Sequence, residues 1–451
     1  MVTERGAATE LELARQVLAL AEAQGATDAE VLVMGGAEQL TRFANSQIHQ
    51  NVAETNTTIN LRLVIGRQVG VIGTNRRDED ALRRLAESAA SVARLQPERP
   101  DFAGLPDGRP ITPVAGAAAA STAAASPEER SRAAAAVIGA ADDAGVLSFG
   151  SFKTVTDRIA VVNTRGVTAH EERTHAHLIT VAMGADGEAG YAEAAAVDQA
   201  DIDAEALGRE AAAKARASRD ATDLPPGDYP VVLEEYAVVD LLDMLGYVGF
   251  SALAVQEGRS FFETGKRVGS DLVSIRDDAT DTAGTPASFD YEGVPKQPVA
   301  LVERGKCRDV VYDTQTAAKD GRPSTGHGLP APNPWGPFPT HLFMDAGDTD
   351  RDELIGGLER GLLVTRFHYT NPVHPKLAIV TGMTRDGLFL VEDGQIRRPV
   401  RNLRFTQSYL EALAGVEAVG STRRLLRGFL GSVVVPAVRI AAFTFTGTTQ
   451  R

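Results

Sequence analysis

The stretch Ala221-Thr222-Asp223-Leu224-Pro225-Pro226-Gly227-Asp228 divides the sequence near its middle and decides how the rest is read. Two consecutive prolines lack backbone donors and the glycine after them admits a turn, so no regular element runs through. Just beyond, Tyr229–Leu233 has the apolar, β-branched content of a strand. Glu235 to about Gln256 then reads as one long helix. Val238, Val239, Leu241, Leu242, Leu245, Val248, Phe250, Leu253 and Ala254 make it apolar on most sides, as in a helix enclosed by its own domain.

Upstream of the break, Leu13, Val17 and Leu20 recur at helical spacing before Gly25, and Glu30–Met34 reads as a strand. In the next run Ile59, Leu61, Leu63 and Ile65 face one way and Asn60 and Arg62 the other; Gly66-Arg67 turns the chain into Val69–Ile72, forming a hairpin. Asp78, Glu79 and Asp80 head a helix carrying Leu82, Leu85, Ala89 and Val92, where acidic residues suit the helix dipole. Residues 96–125 are rich in Pro, Ala, Gly and Ser without apolar period and read as a mobile surface connection. Ser126-Pro127-Glu128-Glu129 opens a further helix with a capping side chain and a proline at its first position. Short strands follow between Leu147 and Ala195, and a helix fills Asp203–Ala217.

Downstream, strands dominate. Asp386-Gly387 and Asp393-Gly394 bracket the apolar run Leu388–Val391 and signal hairpin turns, and Val433–Phe445 is again strand-like. Helices and antiparallel strands in blocks give an α+β fold. We expect two domains: an N-terminal domain of helices and antiparallel sheet over residues 1–222, and a β-rich, barrel-like domain with one long buried helix over 223–451.

Bulk properties narrow the functions. A chain of 451 residues with 43% hydrophobic and 24% charged residues is long enough for two substantial cores. Its formal net charge of -14 argues against nucleic acid as a primary ligand, because phosphate binding requires a basic face. The single cysteine, Cys307, excludes an internal disulfide and a multi-cysteine zinc site, consistent with the cytoplasm. Met1-Val2-Thr3-Glu4-Arg5 leads into an amphipathic stretch rather than an apolar signal segment, and no run approaches the roughly eighteen apolar residues of a membrane span. Alanine-rich stretches and frequent arginine suggest a high-GC bacterial source.

Among eight histidines, His175 and His177 lie two apart and share a strand face, as two ligands of a metal or as polar residues on a solvated surface. His368 and His374 flank Tyr369–Val373 on an expected loop, with Asp345 and Asp348 upstream; metal binding, recognition and loop packing all suit them. The segment Gly321–Pro337 holds the only tryptophan, Trp335, among five prolines and four glycines. It reads either as a functional loop or as an irregular crossing anchored by Trp335. The candidate substrate-binding residues are Ser324, Thr325, Gly326, His327, Trp335, His368 and Asn371. No H-E-x-x-H, nucleophile-elbow or phosphate-loop motif is present, so no catalytic residue is assigned.

Several segments, in order, resemble the TldD/PmbA family, the modulators of DNA gyrase: Thr41–Gln50, Gly70–Gly73, Asp157–Val167, Phe289–Pro295, Ser324–His327, Gly361–Thr365 and Gly387–Ile396. The similarity spans nearly the whole chain and no single motif carries it. In the TldD branch, the helix after the domain break carries H-E-x-x-x-H, whose histidines bind zinc while the glutamate acts as general base, and a later cysteine completes the site. Alignment on Leu241-Leu242 puts Asp243 and Val248 at the histidine positions and Met244 at the base, and no cysteine follows Cys307.

The resemblance therefore implies the TldE/PmbA-type branch, a non-zinc subunit without metal ligands. Such a subunit pairs with a TldD-like, zinc-bearing chain in a heterodimeric metallopeptidase that cleaves unfolded or flexible peptides. It would be inactive alone, contributing the dimer and the substrate chamber. Two alternatives remain open: a non-enzymatic peptide-binding homodimer, and an independent metallohydrolase with a relocated site drawn from His327, His341, His368, His374 and Asp348. Neither nucleic acid nor membrane is an expected partner.

Overall fold

The computed structural model describes residues 3–449. Met1 and Val2, where the absence of a leader was read, lie outside the described residues. The fold is α+β, built on two sheets, one from each side of the Pro225-Pro226 break.

The first sheet has six strands, all antiparallel to their neighbours, in the order Gln68–Thr74, Gln47–Ile65, Asp28–Ala44, Leu147–Asn163, Thr168–Met183, Ala189–Ala196. The helices Thr3–Ala23 and Glu79–Leu95 cover one half of one face, burying Leu13, Val17, Leu82 and Leu85 against Val31, Val33, Ile59, Leu61, Ala160 and Val162. Helices Pro127–Asp143 and Ala204–Ala217 cover the other half through Val137, Ala141, Leu207 and Ala211 on Leu178 and Ala182. The opposite face turns toward the second half of the chain: Leu32, Ile159, Val161 and Ala169 pack on Phe289. Strand Leu147–Asn163 is thus buried on both faces near its end, by the simple alternation of Ile159 and Val161 with Ala160 and Val162.

Local chemistry sets these elements. Asp78 caps its helix by accepting from Ala81 N, and Ser126 with Glu129 forms a reciprocal capping box. Gly66, at φ 62, makes the two-residue turn between Ile65 and Gln68. Strands Asp28–Ala44 and Gln47–Ile65 run far beyond the apolar stretches that announced them, joined at Asn45 and Ser46, both left-handed. The outer arm, from Gln47 to Asn56, is exposed, so it carries no apolar alternation to read. The connection read as mobile over 96–125 is hydrogen-bonded along its length: Ala103 N to Gln315 Oε1, Gly108 N to Arg165 O, Val114 N to Ser288 Oγ and Ala119 N to Thr174 Oγ1.

In the second sheet, of eleven strands, one circuit closes on itself. Gly227–Leu233 pairs with Arg360–His374, which pairs with Ile379–Glu392, then Leu403–Ser408, then Ser432–Thr448, and Ser432–Thr448 pairs back with Gly227–Leu233. Closure removes free edges, as in a barrel. The helix Glu235–Val248 packs against this circuit, with Val238, Leu241, Leu242, Leu245 and Val248 buried among Leu362, Val364, Val380, Val435 and Val438.

Two expectations are corrected here. The long helix to about Gln256 ends at Val248, and only Ala252–Gln256 resumes it. Between them the backbone pairs sideways, Val311 N donating to Phe250 O and Ala252 N to Val311 O, which a continuous helix would forbid. Phe261 crosses close over Gly249, where a methyl would lie 2.0 Å from Cε1. Of the two Asp-Gly pairs, Asp393-Gly394 makes the hairpin turn between Glu392 and Gln395, whereas Asp386-Gly387 lies inside strand Ile379–Glu392 as an irregularity opposite Thr365, between the pairs Val364–Leu388 and Arg366–Arg385. The buried Asp386 carboxylate accepts from Arg366 Nε at 2.7 Å, which holds this left-handed residue in the ladder.

Glycine substitutions separate these effects. Gly249→Ala should destabilise by about 1–3 kcal/mol, the cost of forcing a methyl into a filled core. Gly139→Ala, mid-helix with open space around it, should stabilise by about 0.5–1 kcal/mol. Urea unfolding of both variants checks the contrast.

Candidate functional site

A cavity of about 210 Å³ lies where the uncovered face of the six-stranded sheet meets the second half of the chain. Strand Thr168–Met183 supplies Arg173, His175 and His177, alternating with Ala176 and Leu178, which point into the helix-covered core. Across from them stand Phe289, Asp290 and Lys296, then His327, Thr340 and His341, and finally the turn Arg427–Ser432.

The floor is a buried polar network. His327 Nε2 lies 2.8 Å from Asp277 Oδ1, both side chains fully buried, and Asp277 Oδ2 accepts from His341 N at 2.7 Å. Thr325 Oγ1 lies 2.9 Å from His327 Nδ1. Burial, together with the positive charge of Lys296, holds His327 and His341 below the usual histidine range, so both are neutral at neutral pH. A neutral His327 carries one ring N–H, which it donates from Nε2 to the acceptor-only Asp277 carboxylate, leaving Nδ1 beside the Thr325 hydroxyl. Burial opposes the charge on Asp277, but His327 and Lys296 outweigh it and keep the carboxyl well below the usual range.

Asp290 also faces the cavity, yet its oxygens are taken by backbone donors: Oδ1 by Glu292 N and Val294 N, Oδ2 by Gly328 N. Burial and the neighbouring Glu292 push it up to about 7. On the opposite wall, His175 accepts from Arg427 at Nε2 (3.2 Å), and burial, reinforced by Arg427 and Lys153, pushes its pKa down to about 4. His177 Nε2 is buried without a hydrogen-bond partner, 3.6 Å from Glu193 Oε2.

Of the candidate substrate-binding residues, only His327 lines the cavity, joined there by His175, His177 and His341, which the sequence offered as possible metal ligands. Ser324 and Thr325 bond to Tyr312 O, and Gly326, at φ 73, passes so close to Pro295 O that a methyl would lie 2.4 Å away. These three hold His327 in place. Trp335 is 49% exposed, so it does not anchor its loop; Phe338, 4% exposed, fills that part of the core. His368 and Asn371 sit on strand Arg360–His374 rather than on a loop, near the exposed, left-handed Tyr369. His327 and His341 come together through Asp277, whereas His368, His374 and Asp348 do not line their cavity. Arg173, Lys296 and Arg427 were missed: no motif marks them, and only the meeting of two distant segments brings them together.

The helix Glu235–Val248 places Asp243 half-buried, its Oδ2 accepting from Phe429 N at 2.9 Å. Asp243 thereby fixes the turn that carries Arg427 and Leu430 to the cavity. Burial, with Asp240 and Glu193 nearby, pushes it up to about 7. Val248 is 2% exposed inside the core, and Met244 packs on the same core. One apolar residue, one thioether and a carboxylate already engaged by a backbone N–H do not make a zinc site. Among the described residues, no three His, Cys, Asp or Glu side chains are grouped to hold a metal ion.

Comparison with known proteins defines the class first. Models of the PmbA/TldA metallopeptidase match successive parts of the chain: domain 1 over residues 29–93, the central domain over 120–219 and the C-terminal domain over 226–447. The chain belongs to the PmbA/TldD metallopeptidase family. It is 28% identical over 306 residues to a metalloprotease of Methanothermobacter thermautotrophicus, covering 65% of this chain and 66% of that protein. To a metalloprotease TldD homolog of Buchnera aphidicola it is 28% identical over 212 residues, covering 45% and 42%. The chain thus spans about two thirds or less of the length of these curated relatives. A relative from Saccharolobus solfataricus, 22% identical over 45% of this chain and 46% of its own length, is described as a zinc metalloprotease. The fold matches TldE from Thermococcus kodakarensis with TM-score 0.88 at 18% identity, covering 96% of this chain and 100% of that one. It also matches a proposed modulator of DNA gyrase from Thermotoga maritima, with TM-score 0.85 at 21% identity, covering 96% and 99%.

Two substitutions probe the electrostatics. His327→Ala would remove the hydrogen bond that the neutral imidazole donates to the buried Asp277 carboxylate and should cost about 1–3 kcal/mol in unfolding free energy. Asp240, bound by Tyr409 and Thr370 on the same helix, is pushed up by burial to about 6. The folded state then holds this proton more tightly than the unfolded chain, so stability falls as pH rises from the ordinary carboxylate range to about 6. Asp240→Asn should flatten that slope and raise the melting temperature at pH 8; an unchanged slope in thermal scans would contradict this.

Proposed function

We propose that the chain is the non-zinc, TldE-type subunit of a heterodimeric TldD/TldE-type metallopeptidase acting in the cytoplasm on unfolded or flexible peptides. One observation carries the reading: the helix Glu235–Val248 keeps its place against the closed circuit of strands, while its Asp243, Met244 and Val248 serve packing and turn-holding. By the family resemblance, those are the positions where a TldD-type chain carries zinc ligands and base. Zinc and the activated water belong, in this reading, to the partner; this chain supplies the dimer and part of the wall of the peptide chamber. The TldE-like fold supports the assignment.

The purified chain should contain less than stoichiometric zinc and leave flexible peptides intact, and peptide hydrolysis should appear when a cognate H-E-x-x-x-H chain is added. Zinc at one equivalent together with hydrolysis by the isolated chain would overturn the proposal. A stable homodimer that neither binds nor activates such a partner would favour the non-enzymatic peptide-binding reading.

A further inference from the structure

Three cations, Arg173, Lys296 and Arg427, line the cavity with two carboxylates, Asp157 and Asp290, and Arg173 is paired with Glu171 just outside it, which leaves Lys296 and Arg427 without an ion pair in a chain whose formal net charge is -14. Lys296 is 8% exposed, and its ammonium touches only Thr340 Oγ1, at 3.3 Å. Arg427 donates to His175 Nε2. Among the described residues neither cation has a carboxylate within ion-pair distance, which is unusual for the buried Lys296, since buried cations are normally paired, and ordinary for the exposed Arg427. The acids close to Lys296 act on it by charge but take their hydrogen bonds elsewhere: Asp277 from His327 and the His341 backbone, Asp290 from three backbone N–H groups. His175 and His341, held neutral, add hydrogen-bonding capacity without charge.

One side of the lining is apolar. Leu329, Phe338, Leu426 and Leu430 border the cavity, and Phe429, 60% exposed beside Tyr247 at a ring separation of 6.4 Å, continues this surface outward. A ligand that fits must offer one anionic group to the cations and an apolar group to the leucine and phenylalanine side chains. A free peptide C-terminus ending in an apolar residue has both.

We infer that this cavity is a carboxylate pocket that seats the C-terminal α-carboxylate of a peptide, with Lys296 and Arg427 as counter-charges and the Phe338–Leu430 side receiving the last side chain. This rests on the peptide-handling reading above and gives it a polarity: peptides enter the chamber with a fixed end held in this subunit. Asp243 acts at one remove, as a positioning residue that holds the Phe429 turn and with it Arg427.

The test uses the isolated full-length chain and three probes: the tripeptide Gly-Gly-Phe with a free carboxylate, its C-terminal amide, and inorganic phosphate. Calorimetric titration should show saturable binding of the free acid, at least tenfold weaker binding of the amide, and a similar tenfold loss in Arg427→Gln, an exposed position whose substitution leaves the core intact. Lys296→Met should weaken the acid likewise, with circular dichroism and the melting temperature confirming the fold. Equal binding of acid and amide, no binding of either, or an unchanged Arg427→Gln would overturn the pocket. Phosphate competing as strongly as the tripeptide would replace the peptide assignment by an inorganic anion. The two readings separate when a zinc-bearing partner is added: hydrolysis without preference for free carboxylate sinks only the pocket, whereas acid-selective binding without any hydrolysis sinks only the subunit role.

Discussion

The second half of the molecule depends on closure of a backbone ladder. Strand Ser432–Thr448 pairs with Gly227–Leu233, Leu403–Ser408, Val416–Arg427 and, in parallel, His341–Met344. Its buried N–H and C=O groups therefore find partners at every stage, and the helix Glu235–Val248 can sit against an apolar wall without exposing a sheet edge. Because the strand begins at Ser432 and pairs with His341–Met344 at that end, the same closure fixes the cavity: Ser432, Thr340 and His341 all line it. Scaffold and site share one set of hydrogen bonds.

The two sheets are then locked together by buried charge. Arg62, on the six-stranded sheet, contacts Glu30 of its own sheet at 2.7 Å and Glu292 of the second half at 3.2 Å, all three nearly inaccessible to water. Thr314 N donates to the remaining Glu292 oxygen, and Arg173 reaches Phe289 O across the same seam. Such a cluster is costly to desolvate and tolerates little displacement, which favours one relative placement of the sheets. The cavity walls come from both sides of that seam, so their geometry follows from it.

Much of this was legible in the sequence, and the reasons differ by element. Alternation at Ile59–Ile65 and the capping residues Asp78 and Ser126 act within a few residues, so the hairpin and both helices could be read directly. The exposed arm Gln47–Asn56 has no apolar period, and its strand is dictated by pairing with distant residues. Asp386-Gly387 carries turn chemistry, but the ion pair with Arg366 overrides it. For the site, the family resemblance drew attention to the Ser324–His327 segment and the central helix. His327 proved to belong to the cavity, while the cations around it did not announce themselves, since Arg173, Lys296 and Arg427 lie in unrelated stretches and acquire meaning only through tertiary proximity.

The lone thiol has a consequence for how the protein associates. Cys307 is fully buried on a short strand, and burial pushes its pKa up, so it offers no accessible thiolate. Thiol–disulfide exchange and covalent cross-linking through cysteine are therefore closed to the folded chain. A complex of the folded chain is not cross-linked through this thiol, and oxidants or reductants have no cysteine at its surface to act on.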